Sequence, residues 1–265
     1  MISAFALLLA GQQADWRADH VPNGMEYYVS LPDGWTARKR WPVVLVIESA
    51  ERDFVKNMRA FIAARGKRPY ILLEPLVVTG GGARVRGIPS YHYSDDLWQR
   101  IEKDPWAFDR DGMLLALRSV QKNYEGEREC YLTAWEAGGH TAFALLLSTP
   151  GIAKGAVIVC PNYQDRWVSG RHLTSVQREG RQWKVCGGSL DPAWQKGQPI
   201  FEQALAGYEA LKKLYPQAMF TDLPGEGHGP CCRSVIDYFD QFRLGSDGAG
   251  GRQNSSQWTY AFPAR

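Results

Sequence analysis

Apolar positions recur along this chain in two alternating rhythms, one of strands and one of helices. Residues 25–31 alternate in the manner of a half-buried strand and end at the turn Pro32-Asp33-Gly34. Residues 43–47, Val-Val-Leu-Val-Ile, form a continuous apolar run, the pattern of a strand buried on both faces. Phe54, Met58, Phe61 and Ile62 then fall at helical spacing. Residues 70–76 repeat the strand signal and lead into a long, Gly-rich, aromatic loop over 79–94, whose length marks it as a candidate functional segment. Ser94 or Asp95 is placed to cap a helix carrying Leu97, Trp98 and Ile101. Asp109 is placed to cap another carrying Met113, Leu114, Leu117 and Val120.

The second half repeats the alternation. A short apolar strand over 130–135 runs into a turn with Gly138 and Gly139 and then an apolar helix over 141–147. Residues 156–160 and 182–186 read as strands ending at Pro161 and Gly187-Gly188, with an irregular polar stretch between them whose Trp167 and His172 could line a cleft. Phe201, Leu205, Tyr208, Leu211 and Leu214 give an amphipathic helix, 218–223 a last strand, and Val235, Phe239 and Phe242 a closing helix. Strands alternating with helices predict an α/β protein: a mainly parallel, doubly wound sheet flanked by helices.

Composition narrows this picture. A chain of 265 residues, 45% hydrophobic and 22% charged, suits one domain with one core. The net charge of +3, with scattered basic residues, does not imply nucleic acid. No later segment is apolar enough to span a membrane. Residues 1–10 are apolar, without a preceding Lys or Arg, and residues 11–14 are small or polar. The expectation is a signal peptide over 1–14 and a secreted or periplasmic protein, with an apolar first strand as the other reading. The domain is then 15–244, and 245–265 is a Gly/Ser-rich tail. The five cysteines, Cys130, Cys160, Cys186, Cys231 and Cys232, have no zinc-ligand spacing; export would allow one or two disulfides among them. No metal and no cofactor is expected.

Catalytic groups in an open parallel sheet gather at the C-terminal strand ends, and three predicted loops reach there. The first holds Glu136. The second, Gly187 to Pro192, holds Asp191, and the third, Pro224 to Pro230, holds His228 within a glycine-rich turn.

The strand-turn-helix around Ala134, Trp135, Glu136, Ala137 and Gly138 resembles the nucleophile elbow, G-x-S-x-G, of the α/β-hydrolases. Ala137-Gly138-Gly139-His140 and the order elbow, acid, histidine resemble the secreted esterase-like and polyhydroxyalkanoate-depolymerase-like members. The resemblance covers residues 25–244. It implies an α/β-hydrolase fold with Glu136 at the nucleophile position, Asp191 as the acid and His228 as the base. It also implies an oxyanion pocket from the Ala137 N–H and the loop after Ile47, with Glu48, Ser49 and Trp135 at its edge. A small-molecule or polymeric ester-like ligand is the partner it suggests. Glu48, Glu51 and Asp53 would make that pocket acidic. Three readings stay open: a non-catalytic relative in which Glu136 pairs with His228; a hydrolase of ester, epoxide or haloalkane type using Glu136 as a carboxylate nucleophile; or hydrolysis by another group, such as Cys186, Ser189, Cys231, an activated water or a metal held by Glu48, Glu136 and His228.

Overall fold

The computed structural model describes residues 15–81, 85–149, 151–167 and 181–247. The expected signal peptide, His172 and residues 248–265 of the expected tail lie outside these. Eight strands form one sheet: β1 (Arg17–His20), β2 (Glu26–Ser30), β3 (Val43–Ile47), β4 (Ile71–Pro75), β5 (Cys130–Trp135), β6 (Ala153–Val159), β7 (Gln182–Gly188) and β8 (Met219–Leu223). Their spatial order is β1-β2-β4-β3-β5-β6-β7-β8, with the β1–β2 and β2–β4 pairings antiparallel and the other five parallel. The predicted mainly parallel sheet is therefore what forms.

Six α-helices among the described residues surround it: α1 (Phe54–Arg65), α2 (Asp95–Lys103), α3 (Pro105–Asn123), α4 (Gly138–Ser148), α5 (Pro199–Leu214) and α6 (Cys232–Asp247). The crossover through α1 steps from β3 outward to β4, whereas that through α4 steps from β5 the opposite way to β6. Right-handed crossovers running in opposite directions put their helices on opposite faces of the sheet, which is why the fold is doubly wound. The central strands read as apolar runs because both faces are covered: all five residues of β3 and all six of β5 are buried. No helix among the described residues is long and apolar enough to cross a membrane.

Two local expectations are corrected. Asp109 does not cap a helix. Asp104, followed by Pro105, starts α3 one turn earlier, and Asp109 is fully buried inside that helix. There it accepts hydrogen bonds from Val78 N at 2.9 Å, Thr79 N at 2.7 Å and Thr79 Oγ1 at 2.6 Å, tying the loop after β4 to α3. The five cysteines are free thiols, so the structure contains no disulfide among them.

Candidate active site

The turn from β5 into α4 is built by close backbone approach. A Cβ on Gly138 would lie 2.5 Å from the Glu48 carbonyl oxygen, and one on Gly139 would lie 2.5 Å from Pro161 Cβ. Both positions therefore require glycine, because the neighbours of Gly138 are main chain and cannot step aside. Glu136, at the apex, has φ 47, left-handed backbone that a non-glycine residue adopts at a cost of about 1–2 kcal/mol. The conformation is held by Glu136 N–H donating to Val159 O at 3.0 Å and Asn162 N–H donating to Glu136 O at 2.8 Å. The Glu136 side chain is half-buried and makes no hydrogen bond or ion pair among the described residues. Ala137 N-caps α4 with no side-chain cap, and its N–H has no protein acceptor among the described residues. An N–H left free at a helix start is suited to an anion.

Asp191 and His228, which the sequence placed on separate loops, meet. His228 Nδ1 lies 2.8 Å from Asp191 Oδ2, with the His228 side chain 41% exposed and that of Asp191 1%. The Asp191 carboxyl sits below the usual carboxylate range: burial raises it, but hydrogen bonds from His228, Cys160 and the Ala193 N–H outweigh that. The Trp135 ring stands edge-on to the His228 ring, centroids 5.6 Å apart, so the residue before Glu136 steers the imidazole.

The loop after β3 differs from the acidic rim that sequence suggested. Glu48 is buried, its Oε2 without a partner, and burial pushes its carboxyl up to about 8. At neutral pH it is mostly uncharged. Ser49, also buried, donates weakly to Glu48 Oε1 at 3.4 Å. Glu51 points to solvent near Lys56, and Asp53 caps α1 by accepting the Lys56 N–H. The positive group in this region is Arg52, which sequence reading passed over. It is buried at φ 53 and donates to Ala50 O at 2.9 Å and Gly80 O at 2.7 Å, joining the loops after β3 and β4.

Beside the turn lies a cavity of about 600 Å³, lined by Thr79, Gly81, Val85, Ile101, Arg166 and Trp167 among others. Gly81 connects it to the β5–α4 turn, since a Cβ there would be 3.7 Å from Ala137 Cβ. His140, one turn into α4, is buried and held down at about 4 by burial and by Arg166, so it is neutral.

No protein-family model matches the chain, and no curated protein matches it. Solved structures do. A poly(3-hydroxybutyrate) depolymerase from Bordetella parapertussis superposes with a TM-score of 0.58 at 17% identity, over 86% of this chain and 91% of that one. Esterase 2 of Thermogutta terrifontis, phosphorylated by paraoxon, gives 0.57 at 15% identity over 92% and 98%. A Bacteroides ovatus structure assigned to dipeptidyl aminopeptidase IV gives 0.57 at 13% identity, but this chain, with 86% of its length aligned, spans only 34% of that one.

Proposed function

From the α/β-hydrolase fold that this chain shares with those structures, we propose that it descends from esterase-like serine hydrolases and no longer runs ordinary serine-esterase chemistry, with Glu136 standing at the nucleophile position. The observation that carries this reading is the backbone of Glu136. A carboxylate-bearing residue keeps φ 47 at the apex of the strand-to-helix turn, beside an intact Asp191–His228 pair. A carboxylate cannot become an alkoxide. Its attack on an ester would give a mixed anhydride, not the acyl-enzyme that a hydroxyl forms. The other candidate nucleophiles do not compensate. Cys186 is fully buried with its thiol pushed up to about 12, Cys231 is buried and also pushed to about 12, and Ser189 Oγ accepts the Gly225 N–H at 2.9 Å.

The chain then acts as a binder of a small or polymeric ester-like ligand, held in the cavity beside the turn. The strain kept at Glu136 favours one rival, in which that carboxylate attacks an alkyl carbon of an epoxide or haloalkane and the Asp191–His228 pair activates water to cleave the resulting ester. The extra methylene that Glu has over Asp moves the attacking oxygen by more than about 1 Å, which weighs against it. An exported location rests on residues 1–14 alone, and N-terminal sequencing of the mature protein from its host tests it.

Activity against short-chain aryl esters and epoxides separates the readings. The expected result is inert wild type, weak esterase activity in Glu136→Ser, and loss of that activity when His228→Ala is added. Wild-type turnover of aryl esters at an ordinary rate of about 10 per second, surviving Glu136→Gln, would overturn the proposal. Epoxide turnover abolished by Glu136→Gln would establish the rival.

A further inference from the structure

Asp191 holds more than the histidine. Its Oδ2 also lies 3.1 Å from Cys160 Sγ, and its Oδ1 accepts the Ala193 N–H at 2.8 Å. The three residues come from three neighbouring parallel strands, Cys160 just after β6, Asp191 after β7 and His228 after β8. One donor atom from each, a sulfur, an oxygen and a nitrogen, lies within 4.8 Å of the other two. A carboxylate that only orients a histidine needs no thiol on the same oxygen. Cys160 nevertheless takes a left-handed φ of 43, fully buried, in reaching it.

We propose that Cys160, Asp191 and His228 form a binding site for a thiophilic divalent metal ion of the zinc class. Sulfur with imidazole and carboxylate suits zinc or cobalt, and it disfavours magnesium and calcium, which take oxygen ligands. Bonds of about 2.0–2.3 Å in a tetrahedral site set ligand atoms roughly 3.3–3.7 Å apart. The present 2.8 and 3.1 Å separations are hydrogen bonds to one shared oxygen and must open by about half an ångström. His228 can supply the first movement, being half-exposed and flanked by Gly227 and Gly229, around which there is open space, whereas the Cys160–Asp191 separation opens only by side-chain rotation of those two buried residues.

On binding, the Cys160 thiol gives its proton to solvent and its sulfur lone pair to the ion. The imidazole proton moves from Nδ1 to Nε2, freeing Nδ1 to ligate, while Asp191 binds as the carboxylate it already is. One proton is released per ion, and no oxidation or reduction occurs. A loaded site uses His228 as a ligand and removes it as a base, so metal would shut down any residual hydrolysis.

The test titrates the reduced full-length protein with Co²⁺ and follows its absorption. One equivalent should bind, with a thiolate-to-cobalt charge-transfer band and the strong visible bands of a four-coordinate site, both displaced by Zn²⁺. Cys160→Ser should abolish the charge-transfer band. Because Cys160 lies in the core and its variant can misfold, His228→Gln, on the exposed loop, is the second arm and should weaken binding by at least tenfold. Absence of the band in saturated wild type, its survival in Cys160→Ser, its loss in Cys231→Ser with retention in Cys160→Ser, or unchanged affinity in His228→Gln would each overturn the proposal.

Discussion

Replacing Glu48 with Gln should make the protein more alkali-stable while leaving it little changed in acid. Glu48 continues the line of β3, on the same side as Glu74 of β4, which is fully buried and pairs with Asn57 Nδ2 of α1 at 2.8 Å. Burial raises both carboxyls, Glu48 to about 8, so at neutral pH Glu48 is mostly protonated. In the unfolded chain Glu48 ionises near its ordinary 4.5; in the fold it does so only at about 8. A folded value above the unfolded one contributes stability that is complete below about pH 4.5 and is lost as pH rises to about 8. At about 1.36 kcal/mol per pH unit the loss approaches roughly 5 kcal/mol, a large share of the roughly 5–15 kcal/mol that holds a domain together. Gln keeps the shape and the neutral charge, and its amide can accept from Ser49 as Glu48 Oε1 does. It should erase this loss. Thermal melts from pH 4 to 9 should therefore diverge: similar midpoints for wild type and Glu48→Gln near pH 4.5, and a midpoint higher by about 10 °C or more for the variant at pH 9. Parallel curves would mean that Glu48 ionises in the fold as it does in water, and that the burial argument fails.

Other expectations follow from the same contacts. Gly138→Val sets a side chain against the Glu48 and Ile47 carbonyl oxygens and should cost more than the roughly 1–3 kcal/mol of ordinary overpacking, read by chemical denaturation. Asp109→Leu leaves Val78 N–H and Thr79 N–H without their acceptor and should lower stability by about 2–5 kcal/mol, with faster amide exchange at 78–79 as its signature. Glu136→Gly relieves the φ 47 strain and should not destabilise by more than a few tenths of a kcal/mol, whereas Gly in an ordinary helix costs about 1 kcal/mol. Asp191→Asn removes a carboxyl held below its ordinary 3.8, so the acid-side loss of stability below that value should shrink, and the His228 ring should lose its fixed tautomer by NMR.

The frame of the protein was legible because burial writes itself into composition. β3 is all apolar since both faces are covered, and Gly138-Gly139 announced a close approach that the main chain of Glu48 makes. β1 left no such trace. Arg17–His20 is a largely exposed edge strand, held by its ladder to β2, and an edge strand exposed on both faces has no apolar rhythm to read. Of the site, chain order foretold that Asp191 and His228 would meet. It could not foretell Cys160, which read as the end of a strand, because the contact depends on β6 and β7 being neighbours. Glu48 was misread in charge for a related reason. A sequence gives the residue type, whereas the protonation state belongs to the environment that a carboxyl finds after folding.

The left-handed residues concentrate where chemistry would be. Of the seven left-handed non-glycine residues among those described, Glu136, Cys160 and Cys231 have φ of 47, 43 and 45 and lie after β5, after β6 and just before α6; Arg52, Asp165 and Trp167 lie in the loops after β3 and β6, and Glu125 alone lies between α3 and β5. Cys160 bonds to Asp191, Trp135 next to Glu136 packs on His228, and Cys231 Sγ lies 3.4 Å from Gly229 O in the histidine loop. Each such conformation costs about 1–3 kcal/mol and persists only when its surroundings over-determine it. A fold relieved of every functional demand would be free to place glycine at these turns, as it does at Gly225 with φ 75. Strain kept at three sites around one Asp–His pair is what either proposal, an ester-like ligand at the turn or a metal ion on Cys160, Asp191 and His228, would account for, and a fold without such a demand would not need it.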